Sequence, residues 1–181
     1  MTPHDLRKKL GDGTKSSKFR LTITRPTIQL GETVGDDTIS FLVKASVLPG
    51  KTISTTEIWS QGRKFEVRDT AEFTGKWNVT FYNDDKFAVR NAIDDWMYYI
   101  DGFKFNVSPY LLNYGGIDST GIGYMTNMYV EQLGLKGETI AKYELSYCFP
   151  TSLSEIPLDS ASNELTTTDL EFTYSYWERK D

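Results

Sequence analysis

The amino-acid sequence predicts a mainly β protein in which two antiparallel sheets pack into a sandwich or small barrel, with one α-helix on the flank. Apolar and polar residues alternate over several segments, which is the period of half-buried strands. Turn signals such as Pro49-Gly50 and Gln61-Gly62 separate these segments. One segment, from Asp85 to about Ile100, instead places its apolar residues at helical spacing. A chain of 181 residues is long enough for a single domain with its own core.

The first part of the chain is predicted to contain four strands. Phe19–Thr24 alternates apolar and polar residues and ends before Pro26. The next strand is followed by a hairpin around Gln61-Gly62, and the three segments are Ile39–Val47, Ile53–Trp59 and Lys64–Val67. The polar stretch before Phe19 contains Gly11 and Gly13, so we expect residues 1–18 to be a flexible arm before a single β domain over residues 19–181.

The spacing of apolar residues changes at Asn83, from every second residue to a period of about 3.6 residues. Trp77, Val79 and Phe81 alternate with polar residues and predict a strand with one buried face. Asn83 is then predicted to cap a helix whose first turn carries Asp84 and Asp85, where the helix dipole favours acids. The apolar stripe that should pack on a sheet comprises Val89, Ala92, Ile93, Trp96, Met97 and Ile100.

A long loop rich in glycine, tyrosine and asparagine is predicted over residues 101–123. Loops of this length are usually functional or disordered. We expect this one to be flexible in the free monomer and ordered, at least in part, in an assembly. The remaining strands are a hairpin and a long last strand, namely Tyr124–Leu133, Thr139–Cys148 and Leu165–Trp177.

Composition and charge exclude several classes of protein. The net charge is −5 and no basic run exceeds Arg7-Lys8-Lys9, whereas an ordinary DNA-binding surface needs clustered cations. No apolar run approaches the ~20 residues of a membrane-spanning helix, and none follows the basic residues near the N-terminus as a signal peptide requires. Cys148 is the single cysteine, which excludes an internal disulfide, and we expect it to be a small buried hydrophobe.

No arrangement of residues points to catalysis. The single histidine, His4, lies in the predicted arm and cannot be held rigidly beside a nucleophile. The carboxylate pairs Asp36/Asp37, Asp84/Asp85 and Asp94/Asp95 are explained by turns, helix capping and a solvated face. Gly121-Ile122-Gly123 lacks the third glycine and the following helix of a dinucleotide fingerprint. We therefore predict no catalytic residue, no metal site and no cofactor.

The C-terminal third carries the most specific pattern in the chain. It runs from Phe149-Pro150-Thr151 through Leu158-Asp159 to Tyr174-Ser175-Tyr176-Trp177-Glu178. Further segments precede it in a matching order, namely Lys44–Gly50, Gly62–Phe65, Trp77–Asp84 and Asn91–Trp96. Together, over about residues 41–96 and 130–178, these segments resemble the tail tube proteins of T-even-like, contractile-tailed bacteriophages. The chain departs from that family at residues 69–73, which match in part, and after Asp159, where a tryptophan is missing.

The resemblance implies a structural virion protein that is not an enzyme. It implies two packed sheets with a flanking helix, assembled as sixfold rings that stack into a hollow tail tube in the cytoplasm of the host bacterium. The implied partners are further copies of the chain, a contractile sheath, and baseplate and tail-terminator proteins. DNA would pass through the bore without specific binding, and no membrane insertion is implied. Closed rings need heterologous contacts, and exposed sheet edges can supply them.

Two sets of residues are expected to serve such an assembly. Subunit contacts are expected at the turn before the hairpin, on the hairpin and near the C-terminus, because the hairpin carries more apolar surface than a free one needs. These residues are Leu48, Pro49, Gly50, Ile58, Trp59, Arg63 and Trp177. The alternative is that the hairpin folds onto its own core. The bore is expected to be neutral or negative, because six chains at −5 carry about −30 in total. Its candidate residues, which can equally face outward, are Glu131, Glu144, Asp169 and Glu171.

Two other functions stay open from the sequence. The tube of a contractile injection or secretion system would share the fold. A β-sandwich module that binds or cleaves glycans would use aromatic residues and carboxylates, although no spacing supports it. Trp77 and Trp96 fit the core pattern, whereas Trp59 and Trp177 lie at strand ends and suit either an interface or, equally well, the core.

Overall fold

The computed structural model describes residues 13–24, 26, 42–70, 75–102 and 123–180, together with Asp5 and Lys8. These residues form strands β1–β9 and a long helix, α1. In chain order the elements are β1 Phe19–Ile23, β2 Val43–Ser46, β3 Thr55–Ser60, β4 Arg63–Arg68, β5 Gly75–Tyr82, α1 Ala88–Asp101, β6 Thr126–Leu133, β7 Thr139–Leu153, β8 Thr167–Tyr174 and β9 Tyr176–Lys180.

Two antiparallel sheets share the long strand β7. The first sheet has the order β1-β6-β7-β9 and the second has the order β7-β8-β5-β2. The first half of β7 pairs with β6 and β9, and its second half pairs with β8. Between the halves Tyr147 has a φ of 58°, a left-handed conformation that interrupts the strand and turns it from one sheet into the other. Two packed antiparallel sheets with one flanking helix were predicted, and this prediction is confirmed.

The predicted last strand is divided in two at Ser175. Its backbone N–H donates to the Ser146 carbonyl at 3.0 Å, outside the regular ladder. β8 and β9 thereby follow β7 around the bend, one in each sheet.

The core lies between the two sheets and α1. Trp77, Trp96 and Phe172 are fully buried and form an aromatic cluster, with the Phe172 ring centroid 5.8 Å from that of Trp77 and 6.4 Å from that of Trp96. Burial of each such side chain contributes about 1.5–3 kcal/mol. The other buried apolar residues include Leu21, Ile23, Met128, Val130 and Leu145 from the first sheet, Val79, Phe81 and Leu170 from the second, and Val89 and Ile93 from α1. Trp77 and Trp96 were predicted in the core, which is confirmed.

Cys148 is also fully buried, as predicted. Burial raises the pKa of its thiol to about 12, so the thiolate is scarce at neutral pH.

The helix begins at Ala88, later than the predicted Asp85. Phe87 has a left-handed φ of 53°, and its N–H donates to the Asp84 carbonyl at 3.1 Å. Residues 84–87 therefore form a turn, and the helix starts only after Phe87. Phe87 occupies the N-cap position, and the Asp84 carboxylate, three residues earlier, accepts a hydrogen bond from the Ala88 N–H at 2.8 Å. The predicted cap at Asn83-Asp84-Asp85 with acids in the first turn was wrong, because the first turn contains no acid. The Asn83 side chain instead donates to Thr166, just before β8, at 3.1 Å and accepts from Thr168 in β8 at 2.7 Å.

Several predictions fall outside the described residues. They concern residues 39–41 of the predicted second strand, residues 103–122 of the loop and most of the N-terminal arm. Within the arm, the turn at Lys15–Lys18 is described, and the Gln132 side chain of β6 donates to the carbonyls of Lys15 and Lys18 at 3.0 and 2.7 Å. Among the described residues, no helix is long and apolar enough to span a membrane.

Candidate assembly surfaces

The β3–β4 hairpin stands away from both sheets. Within the described part of the chain its strands pair only with each other, from Thr55 opposite Arg68 to Ser60 opposite Arg63. The turn residues Gln61 and Gly62 have φ values of 50° and 74°, the left-handed pair that a two-residue hairpin turn requires. Every residue from 51 to 70 is exposed. An isolated two-stranded hairpin is marginally stable at best in water, so a partner surface would stabilise it.

One face of this hairpin is apolar. Ile58 and Phe65 are direct cross-strand neighbours, and Val67 lies two residues farther along β4 on the same face. Their exposed fractions are 48%, 51% and 41%. Three large apolar side chains on one exposed face are more than a solvated hairpin needs, which makes this face a candidate contact surface.

The opposite face of the hairpin is charged. Glu57 lies directly opposite Glu66 and forms an ion pair with Lys64. Trp59 lies on this face opposite Lys64, and 68% of it is exposed. The predicted contact residues Ile58 and Trp59 are therefore both exposed, but they point to opposite sides. Trp59 and Phe65 accordingly offer no single aromatic platform of the kind that a glycan site would use.

Two tryptophan side chains anchor the base of the hairpin. The Trp77 Nε1–H donates to the Val47 carbonyl, and the Trp177 Nε1–H donates to the Gly50 carbonyl, each at 2.9 Å. Trp177 is half-buried and packs edge-on against Tyr143 with ring centroids 5.6 Å apart. Trp177, predicted at a subunit contact, thus holds the base of the hairpin within its own chain.

The other predicted contact residues lie around this base and at the hairpin tip. Leu48 is 46% exposed, Gly50 is exposed and Pro49 is half-buried. Arg63 follows the hairpin turn and is exposed. Leu48, Gly50 and Arg63 are therefore available to a neighbouring molecule.

The outward face of the first sheet carries paired charges. Glu131 is almost fully buried, and its carboxylate lies 3.0 Å from the Lys142 ammonium and 3.7 Å from the Arg20 guanidinium. The register places Arg20, Glu131 and Lys142 side by side on three neighbouring strands. Glu131 is therefore neutralised by its neighbours.

Glu144 forms the second group of charges on this face. Its side chain is 12% exposed, lies 2.8 Å from the Lys180 ammonium and accepts hydrogen bonds from Tyr129 and Asn127 at 3.0 Å each. The hydrogen bond from Lys180 lowers the pKa of Glu144 although burial opposes this, and the bonds from Tyr129 and Asn127 add to the lowering. Lys180 also pairs with Glu178 at 3.0 Å, and these partners raise the pKa of Lys180. The ion pairs of this face thus join three cations, Arg20, Lys142 and Lys180, to three carboxylates.

The outward face of the second sheet is balanced as well. Glu171 lies 2.8 Å from Lys76, and the hydrogen bond from Lys76 lowers the pKa of Glu171. Asp169 accepts a hydrogen bond from the Thr80 hydroxyl at 2.6 Å. Lys44, on the neighbouring strand β2, places its ammonium 5.4 Å from the Tyr82 ring.

The four candidate bore residues thus lie on two different faces. Glu131 and Glu144 are on the first sheet, and Asp169 and Glu171 are on the second. The outward faces of the two sheets point in opposite directions from their shared core. A single bore can therefore be lined by at most one of these two pairs of acids. The sequence reasoning named the acids but missed the cations beside them. The signal was present in the opposite charges two residues apart, Lys142 with Glu144 and Glu178 with Lys180.

A protein-family model described as phage tail tube protein matches residues 14–180. The chain belongs to the phage tail tube protein family. The match includes both sheets, the helix and the free-standing hairpin. Members of this family are structural components of the phage virion, so membership indicates a structural role. Among the described residues, no group of three or more His, Cys, Asp or Glu side chains is arranged to hold a metal ion.

Solved structures of contractile injection systems have the same fold as this tail tube family member. The tube-terminating cap of the anti-feeding prophage is 14% identical, with a TM-score of 0.61 over 92% of this chain and 90% of that chain. A chain of the sheath–tube complex of the extracellular contractile injection system PVC, in its extended state, is 11% identical, with a TM-score of 0.58 over 99% and 98% of the two chains. The sheath/tube terminator of that system has a TM-score of 0.57 at 14% identity, over 92% of this chain and 96% of that chain. No curated protein sequence matches the chain.

Proposed function

We propose that this protein forms the stacked, hexameric rings of the tail tube of a contractile-tailed bacteriophage and that the genome leaves through the bore of this tube. Membership of the tail tube family supports the class of function. The β3–β4 hairpin carries the proposal, because its apolar face has no cover within the described chain and a second copy would supply one. In this proposal the rings assemble in the host cytoplasm, inside a contractile sheath and between baseplate and tail-terminator proteins.

The strand order also supports ring formation. β1 and β9 are the edge strands of the first sheet, so its two edges have backbone groups that a neighbouring copy can pair with. A contact between unlike edges is heterologous and gives a closed ring when the rotation between copies closes. The hairpin, which projects from the body of the domain, is then available for contacts with other copies.

The tube of a contractile injection system is the second candidate. The solved structures with the same fold favour it, since they are a tube-terminating cap and a chain of a sheath–tube complex. The two candidates differ in the particle that carries the tube. A DNA-filled head on particles that contain this protein supports the phage tail, whereas headless sheathed particles support the injection system.

Electron microscopy of the purified protein tests the proposal. We expect hollow rods of uniform diameter. Phe65→Ala and Trp59→Ala, which shorten exposed side chains on the two faces of the hairpin, should leave the melting temperature nearly unchanged and reduce the yield of rods. Leu135→Ala is the matched control, because Leu135 is 46% exposed in the turn between β6 and β7, away from the hairpin. Monodisperse small particles from the wild type at all concentrations would overturn the tube, and normal rods from both hairpin variants would overturn the hairpin contact.

A further inference from the structure

The last strand, β9, is attached to the first sheet along one side. Within the part of the chain that the structure describes, it pairs with β7 and with no other strand. It is five residues long, from Tyr176 to Lys180, so few backbone hydrogen bonds hold it. A short strand at the edge of a sheet opens more readily than the strands inside the sheet. The side chains of β9 are therefore important for keeping it in place.

The register places like charges opposite each other on β7 and β9. Glu144 lies directly opposite Glu178, and Lys142 lies directly opposite Lys180. Like charges at directly opposite positions of an antiparallel pair destabilise that pair. These four side chains would therefore disfavour the contact between the two strands if no other interaction compensated for the repulsion.

A diagonal ion pair compensates for this repulsion. The Lys180 ammonium lies 2.8 Å from the Glu144 carboxylate and 3.0 Å from the Glu178 carboxylate, so one cation neutralises both acids. Lys142, the opposite cation, is neutralised separately by Glu131 at 3.0 Å. The hydrogen bond between Lys180 and Glu144 lowers the pKa of the carboxyl and raises the pKa of the ammonium, which keeps both groups charged at neutral pH. The Glu144–Lys180 pair thus ties β9 to β7.

The opposite face of β9 holds the base of the β3–β4 hairpin. Trp177 packs on Tyr143 of β7 and donates its Nε1–H to the Gly50 carbonyl at 2.9 Å. Because neighbouring residues of a strand point to opposite faces, the hairpin anchor Trp177 and the charged residue Glu178 lie back to back on one short strand. If β9 separates from β7, the indole moves with it and Gly50 loses this hydrogen bond.

We propose that β9 is a latch on the β3–β4 hairpin, which the Glu144–Lys180 ion pair keeps closed. In the closed latch β9 lies on β7, and Trp177 holds the base of the hairpin at Gly50. In the open latch β9 is separated from β7, and the hairpin moves more freely about its base. The latch acts within one chain and does not depend on ring formation. In the proposed tube, it fixes the direction in which the hairpin presents its apolar face.

Trypsin cleavage after Lys51, the exposed residue that follows Gly50, measures the opening of the latch in the monomer. Glu144→Gln and Lys180→Gln each remove one charge of the ion pair. We expect each to raise the cleavage rate about threefold, because an ion pair of this exposure changes an opening equilibrium by a few-fold. Glu171→Gln is the matched control, since Glu171 also pairs with a lysine at 2.8 Å but lies on β8, outside the contact between β7 and β9. Its cleavage rate should equal that of the wild type.

A double variant distinguishes the latch from a general loss of stability. Trp177→Phe already lacks the anchor, so adding Glu144→Gln to it should not raise the cleavage rate after Lys51 any further. An increase by the same factor with and without Trp177→Phe would show that Glu144 acts on the whole fold, and it would overturn the latch. Wild-type cleavage rates in both Glu144→Gln and Lys180→Gln would also overturn it. Neither measurement uses rods, so a failure of the latch is distinct from a failure of the proposed tube.

Discussion

At the scale of single residues, Glu144 shows how a carboxylate keeps its charge at a nearly buried strand position. Three donors surround it, and the lowered pKa follows from the hydrogen bond that Lys180 provides. Because the pKa is lower in the folded state than in the unfolded state, the unfolded chain takes up the proton first as the pH falls. The stabilisation by Glu144 is therefore complete above its ordinary pKa of 4.5 and is lost as the pH falls through the lowered folded-state value. We expect Glu144→Gln to cost about 1.5–3 kcal/mol of unfolding free energy at pH 7, and less in acid.

Urea unfolding of the two proteins between pH 7 and pH 3 measures this difference. Glu178→Gln is the matched control, because Glu178 contacts the same lysine but its side chain is 57% exposed. Its effect on stability should be small at every pH. A wild type and a Glu144→Gln variant whose stabilities differ by the same amount at every pH would contradict the prediction.

At the scale of elements, the β3–β4 hairpin is held at its base by side chains of the core. Trp177 packs against Tyr143 and donates to the Gly50 carbonyl. Trp177→Phe keeps an aromatic ring there and removes the donor. Loss of one hydrogen bond is worth about 1 kcal/mol, so we expect the segment to open about fivefold more often. Limited trypsin digestion should cut correspondingly faster after Lys51 and Arg63, while the melting temperature changes little.

Tyr176→Phe is the control for this experiment. It removes a polar group from the neighbouring residue of β9, whose side chain is 38% exposed and packs on Tyr147. Cleavage of the hairpin should stay at the wild-type rate in this variant. Equal cleavage rates in Trp177→Phe and the wild type would show that the indole hydrogen bond does not hold the base.

At the scale of the whole molecule, the charges of both outward sheet faces are balanced. Arg20, Lys142 and Lys180 offset three carboxylates on the first sheet, and Lys76 offsets Glu171 on the second. Among the described residues, neither face carries a row of unpaired cations, and such a row is what would bind the phosphates of DNA. We therefore predict that empty wild-type rods do not retain a short DNA duplex at about 0.15 M salt.

Reversal of one acid on each face tests this prediction and locates the bore. Glu178→Lys adds positive charge to the first sheet, and Glu171→Lys adds the same charge to the second. Duplex trapped in the bore is shielded from a nuclease, so rods of the variant whose face lines the bore should protect DNA from digestion. The other variant serves as the control for added charge. Protection of DNA by wild-type rods would refute the neutral bore.

The sequence by itself determined the features that depend on neighbouring residues. The alternation of Trp77, Val79 and Phe81 predicted the buried face of β5, and the apolar stripe through Trp96 predicted the helix. Gln61-Gly62 predicted the hairpin turn. Each of these signals is either the spacing of apolar residues or the preference of certain residues for turns. Both are properties of a few neighbouring residues in the chain.

Only the tertiary structure decided which distant residues meet. Lys76 and Glu171 are 95 residues apart in sequence, and their ion pair exists because β5 and β8 are adjacent in one particular register. The position of Trp177 beneath the hairpin and the use of Asn83 by β8 likewise follow from the packing of distant segments. A one-residue shift of register would move every side chain of a strand to the other face. The charge-balanced faces and the anchored hairpin are therefore consequences of strand pairing, which periodicity within one segment does not specify.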